Sequence, residues 1–297
     1  MMKTSNNFRG AALMAASMAF YVSNDSLVKL VAGNLGLFQI MFLRGLLATA
    51  LLGLLAIKKK SILPILNKSD WKVLAYRMIG EVGATLCYLT ALFNMPLANA
   101  TAILQALPLA VTLGAALFLG QTVGWRRYIA ILVGFAGVLV IVRPGSDGFN
   151  AYSMWALAAV VFIVLRDLST HRLSAHVPSI FVALLTAVSI MLTGAVMSSI
   201  VVWNPVSAND LVLLGAAAVF LIFGYLFSIM TMRVGEISFI SPFRYTALIW
   251  SIALGFAVFG DIPDRWTLLG SAIVVLMGIY TFYRERKIKN LAQTVSP

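Results

Sequence analysis

Charge is scarce in this sequence: Asp, Glu, Lys and Arg make up 11% of its 297 residues, against 61% hydrophobic. A soluble domain ordinarily carries about a quarter charged residues, so this chain lacks the polar surface to remain in water. Cysteine is almost missing too; Cys87 stands alone, and no intrachain disulfide can form. The only histidines, His171 and His176, have no Cys or carboxylate companions at ligand spacing, which argues against a metal site. No Walker loop occurs, so ATP hydrolysis by this chain is excluded. No catalytic residue and no cofactor is expected.

What the sequence does hold is a succession of apolar runs, each near the roughly 20 residues that a helix needs to cross a ~30 Å hydrocarbon core. They read as spans over residues 10–32, 35–57, 72–93, 96–119, 125–142, 151–172, 177–202, 211–232, 237–259 and 265–283. Turn residues such as Gly33-Asn34, Asn204-Pro205 and Asp261-Ile262-Pro263-Asp264 punctuate them. The runs are continuously apolar, without the alternation of a barrel strand, so helices are predicted. Lys3 and Arg9 before an apolar run imitate a signal peptide, but the run continues past Tyr21 through Asp25 and Lys29 into the next span. An uncleaved first helix is expected.

The net charge of +12 points to a membrane surface rather than to nucleic acid, because the basic residues sit in short runs beside apolar segments, as in Lys58-Lys59-Lys60. With the N-terminus inside, fifteen of the 22 Lys and Arg residues fall on the cytoplasmic side and two, Arg143 and Arg265, fall outside. That bias places both termini in the cytoplasm and requires an even number of spans.

The halves of the chain resemble one another. At an offset of 142, Phe20 meets Phe162 and Asp25 meets Asp167; at 140, Gly120-Gln121 meets Gly260-Asp261. Five spans per copy is an odd number, so the second copy lies inverted, with the substrate site between the copies near mid-membrane. The expected layout is all-α and integral to the membrane: one five-helix repeat over 10–142, a second over 151–283, and a cytoplasmic tail over 284–297.

Several motifs carry a family likeness. They are Asn24-Asp25 with Lys29, Phe42-Leu43-Arg44-Gly45, Arg166-Asp167-Leu168-Ser169, and Pro242-Phe243-Arg244-Tyr245-Thr246 running on to Phe259-Gly260-Asp261-Ile262-Pro263-Asp264. In order and spacing the chain resembles the drug/metabolite transporter superfamily, in its ten-helix branch of two EamA-type repeats. The pattern is most similar to proteobacterial riboflavin importers and S-adenosylmethionine importers. The resemblance implies a secondary carrier of a small organic metabolite in a bacterial inner membrane. Riboflavin uptake ranks first, with S-adenosylmethionine transport and export of amino acids or other metabolites as alternatives. A lipid-modifying membrane enzyme, or a receptor without transport, would be the rivals from other classes.

Charged side chains inside spans mark the candidate site, since each costs roughly 2.5–3.5 kcal/mol at mid-helix unless partnered or wetted. Asp25 lies about 10 Å and Arg44 about 14 Å below the outer ends of their spans, level enough to pair. Asp167 and Arg244 form the inward counterpart. Static pairs that fix helix registration and pairs that open as gates both fit. Glu81, near the midplane with Gly80 and Gly83 beside it, reads as a substrate or proton group or as a structural hydrogen-bonding carboxylate, with Arg77 one turn away to neutralise it or snorkel. Gln105 and Thr101, ahead of Pro108, share a helix face that suits a cavity wall, and Ser241, Arg244 and Tyr245 are its counterpart in the second half. Tyr21, Tyr88, Tyr245 and Trp250 would suit a flat ring system if they converge.

Overall fold

The computed structural model describes residues 2–59, 66–120, 123–145, 149–174, 176–234 and 240–295. Gln121 and the start of the expected ninth span at 237 lie outside them. All regular structure among the described residues is helical: α1 (Met2–Val31), α2 (Leu37–Lys58), α3 (Lys68–Asn94), α4 (Leu97–Leu104), α5 (Leu107–Leu119), α6 (Trp125–Val142), α7 (Tyr152–His171), α8 (Ser179–Ser198), α9 (Ala208–Val234), α10 (Thr246–Leu254) and α11 (Arg265–Val295). The chain is thus an all-α integral membrane protein, its helices falling on the ten expected spans. Eight stretches among the described residues are long and apolar enough to cross a membrane. α1 and α3 are not among them; they carry Asp25 and Glu81, and such charges lower the hydropathy of their segments.

Two spans are broken. The fourth divides into α4 and α5 at Gln105-Ala106, where Pro108 in the first turn of α5 cannot donate to the preceding turn. The ninth enters through a 3-10 turn at Ser241–Tyr245 containing Pro242, continues as α10, and ends in a π-helical turn at Gly255–Phe259. The last helix runs on to Val295, well past the expected end of the span at 283.

The chain forms two compact units, each drawing on both halves of the sequence. The first comprises Met1–Ser23, Met95–Ser153 and Phe223–Pro297, the second Asn24–Asn94 and Met154–Ile222. In the first unit α6 packs along α11 and α4 on α10; in the second α2 packs along α8. Counted by spans, the second meets the seventh, the fourth the ninth and the fifth the tenth, so each partner lies five spans on. Glycines set these contacts reciprocally. A Cβ on Gly45 would meet the Met191 backbone at 2.8 Å, and one on Gly194 would strike the backbone of Phe42. Gly137 and Gly270 face one another's carbonyls in the same way, at 3.0 and 2.5 Å. Apolar surface gains little from leaving lipid, so backbone-to-backbone approach at small residues supplies the attraction between such helices.

Polar groups tie the ends of the second unit. At one end Asn34 donates to Asp210 at 3.0 Å, Asn204 donates to the Asn34 carbonyl at 2.8 Å, and Gln39 donates to the Asn204 carbonyl at 2.7 Å. Ser207 and Asp210 close a reciprocal cap on α9, each accepting the other's backbone N–H. At the other end Asp70, 2% exposed, accepts the Ser174 backbone N–H at 3.4 Å and lies 3.3 Å from His176 Nε2.

The hydrogen bond from the Ser174 hydroxyl, aided by its backbone N–H and by His176, outweighs burial and holds the Asp70 carboxyl below the usual carboxylate range. A carboxyl depressed in the folded state contributes stability that is present above about pH 4 and lost as pH falls through its folded value. Asp70→Asn is therefore expected to melt below wild type at pH 7, with the gap closing in acid. Thermal unfolding between neutral and acid pH checks this; a gap that persists in acid would refute it.

Candidate substrate site

Five of the nine expected site residues, Asp25, Arg44, Glu81, Tyr88 and Asp167, belong to the second unit; Gln105, Arg244, Tyr245 and Trp250 belong to the first. In the second unit, glycines bring α3 and α7 together. A Cβ on Gly80 would meet the backbone of Arg166 and Phe162 at 2.8 Å, and one on Gly83 the Phe162 ring at 2.5 Å. That approach puts Glu81 between two arginines, with Oε2 3.6 Å from Arg77 Nη2 and Oε1 3.6 Å from Arg166 Nη1. The Glu81 side chain is 12% exposed.

Each arginine is held from its other side. Arg77 donates to the hydroxyls of Thr170 at 3.0 Å and Thr186 at 2.6 Å. Those hydroxyls donate in turn to the Arg166 and Val182 carbonyls of their own helices, which leaves their lone pairs turned to the guanidinium. Arg166 donates from Nε to Asp167 at 2.9 Å. The i,i+4 spacing of Arg77 and Glu81 is legible in sequence. Arg166 as the second clamp is not, because its approach depends on how α7 packs.

Asp25 accepts the Tyr88 hydroxyl at 2.8 Å and the Asn24 amide at 2.9 Å. Arg44 is its electrostatic neighbour and also that of Glu81. The expected direct Asp25–Arg44 pair is not formed: no ion pair within 4.0 Å joins them, and they act through space. Asp167 and Arg244 fall in different units; within its own, Asp167 is bonded to Arg166.

The first unit presents a less charged group. Gln105, 6% exposed, sits at the break between α4 and α5. Before it on α4, the buried Thr101 hydroxyl and the side-chain amide oxygen of Asn99 have no hydrogen-bond partner among the described residues. Tyr245 is 5% exposed and its hydroxyl abuts Gly278, while Trp250 donates its indole N–H to the Ala15 carbonyl at 3.2 Å. Arg244 is exposed. Tyr21 packs edge-on against Tyr225, centroids 6.0 Å apart.

Residues 8–143 match the model of the EamA-like transporter family. The first half of the chain is thus EamA-like. Among curated proteins the chain is similar to an S-adenosylmethionine uptake transporter of Rickettsia conorii, 24% identical over 66% of each chain. A pseudopaline exporter, CntI, of Pseudomonas aeruginosa is 28% identical over 88% of this chain and 91% of its own. A riboflavin transporter of Vibrio cholerae is 28% identical over 70% of each. A crystal structure of another protein superposes on 96% of this chain and 99% of its own with a TM-score of 0.62 at 20% identity, which shows the fold. Each of these relatives is named for carrying a small metabolite.

Proposed function

We propose that this chain is a secondary carrier in the bacterial inner membrane, both termini cytoplasmic, moving a small charged organic metabolite, and that it is not an enzyme. Alternating access would use two inverted five-span repeats, residues 10–142 and 151–283; the pairing of spans five apart supports that layout. One observation carries the substrate class: within a single unit, Arg44, Arg77 and Arg166 stand with Asp25, Glu81 and Asp167 inside spans, and Lys29 adds a charge one turn beyond Asp25. So many charges inside spans are costly, and a neutral ligand would make poor use of them. S-adenosylmethionine, with its sulfonium, ammonium and carboxylate, fits this array.

Riboflavin is the second reading, favoured by the Vibrio cholerae relative. It is neutral at pH 7 and would rely on aromatic stacking and hydrogen bonds to its ribityl hydroxyls. The aromatics that support it have contacts of their own: Tyr88 on Asp25, Tyr245 on Gly278, Trp250 on Ala15.

Counterflow in proteoliposomes separates the readings. Vesicles preloaded with S-adenosylmethionine are expected to take up labelled S-adenosylmethionine, and those preloaded with riboflavin not to take up labelled riboflavin. The opposite result would reinstate the flavin, and flux of neither would count against both.

A further inference from the structure

We infer that Arg44 and Asp25 together receive the α-amino-carboxylate head of the substrate, the carboxylate on Arg44 and the ammonium on Asp25; this rests on the carrier reading above. The second unit holds three arginines within spans, and two of them are engaged. Arg77 has two hydroxyls and Glu81, and Arg166 has Asp167 and Glu81. Arg44 differs. Among the described residues its guanidinium makes no hydrogen bond and no ion pair within 4.0 Å, and its electrostatic neighbours Asp25 and Glu81 stand beyond that distance.

A guanidinium in this setting has five N–H donors in a planar fork, the geometry that takes a carboxylate in two parallel bonds. Asp25 complements it. Each of its oxygens accepts one hydrogen bond, from Tyr88 and from Asn24, which orients the carboxylate and leaves further lone pairs for an ammonium. Glu81 is less suited to that part, since its Oε2 is buried and the group is clamped between Arg77 and Arg166.

The head is zwitterionic, so its carboxylate and ammonium meet Arg44 and Asp25 as a matched pair and the head itself adds no net charge inside the membrane.

The test uses the purified full chain with S-adenosylmethionine and its decarboxylated analogue as probes, each read by ligand-induced thermal stabilisation and by competition in counterflow. Wild type is expected to prefer the carboxylated form by at least about tenfold, a factor that 1.4 kcal/mol of differential binding supplies. Arg44→Gln is expected to abolish the preference. Should that variant not fold, Arg44→Lys keeps the charge but loses the fork and is expected to lose most of it. A methyl ester of the substrate should behave as the decarboxylated analogue does. Equal handling of both probes by wild type, or a preference that survives in a folded Arg44 variant, overturns the inference. Binding that depends on Arg44 without any flux would leave the receptor standing and remove the carrier reading. Flux of riboflavin alone would overturn the inference.

Discussion

Replacing Gly194 with leucine is expected to prevent recovery of a folded protein, and even Gly194→Ala to cost about 3 kcal/mol, the upper end of ordinary core overpacking. A Cβ at this position would run into the backbone of Phe42, with Phe42 Cα at 2.8 Å and the Met41 carbonyl carbon at 2.9 Å. Backbone atoms inside a helix cannot rotate away as a side chain can. The helices would have to separate along the α2–α8 contact, where Gly45 makes the reciprocal approach to Met191. Gly215 is the control, because a Cβ there meets nothing within 4 Å. Gly215→Ala should therefore match wild type. Size-exclusion profiles and thermal unfolding in detergent measure both variants, and a Gly194→Ala protein melting with wild type would refute the close contact.

Glu81→Gln is expected to destabilise the chain by about 3–5 kcal/mol, the scale for removing one member of a buried ion pair. The substitution keeps shape but leaves Arg77 and Arg166 facing each other without the carboxylate that separates them. Removing one of those arginines as well should recover part of the loss. The Glu81→Gln/Arg166→Gln double variant is thus expected to melt above the value obtained by adding the two single effects. Strictly additive melting shifts would dissolve the three-residue cluster. Counterflow on whatever folds then distinguishes a proton carrier, which loses its response to a pH gradient, from a structural anchor, which does not.

The fold was largely legible because it rests on run length and punctuation. The sequence-derived span at 125–142 coincides with α6, and most others agree to within a few residues at each end. Pro108, which cannot donate to the preceding turn, marks the break in the fourth span. The π-helical turn at Gly255–Phe259 had no such marker, since a change of hydrogen-bond register leaves no fixed residue type behind.

The charged residues of the site were visible one by one, because each stands out against an apolar run. Their partnerships were less so. Spacing along a helix gives Arg77–Glu81, but Arg166 reaches Glu81 only because Gly80 and Gly83 let α3 close on α7. The estimate of depth put Asp25 and Arg44 level, yet level groups on neighbouring helices need not touch. Asn34, Gln39 and Asn204 were missed for another reason: Asn34 and Asn204 read as ordinary turn residues and Gln39 as one polar residue at the start of α2, and nothing in their spacing joins a turn at 34 to one at 204.

The composition of the two units has a consequence for biosynthesis. α2 ends at Lys58, but its packing partner α8 begins at Ser179, so 120 residues lie between the two helices. At about 5–20 residues per second the ribosome needs roughly 6–24 seconds to deliver them. Throughout that interval the Gly45 face of α2 has no partner from its own chain, and neither unit can be completed by the first half alone. The nascent chain therefore passes through a stage of inserted but unpaired helices, whose small-residue faces are open to any other helix in the bilayer. Lateral mispairing at that stage, rather than failure to insert, is the characteristic hazard of this arrangement.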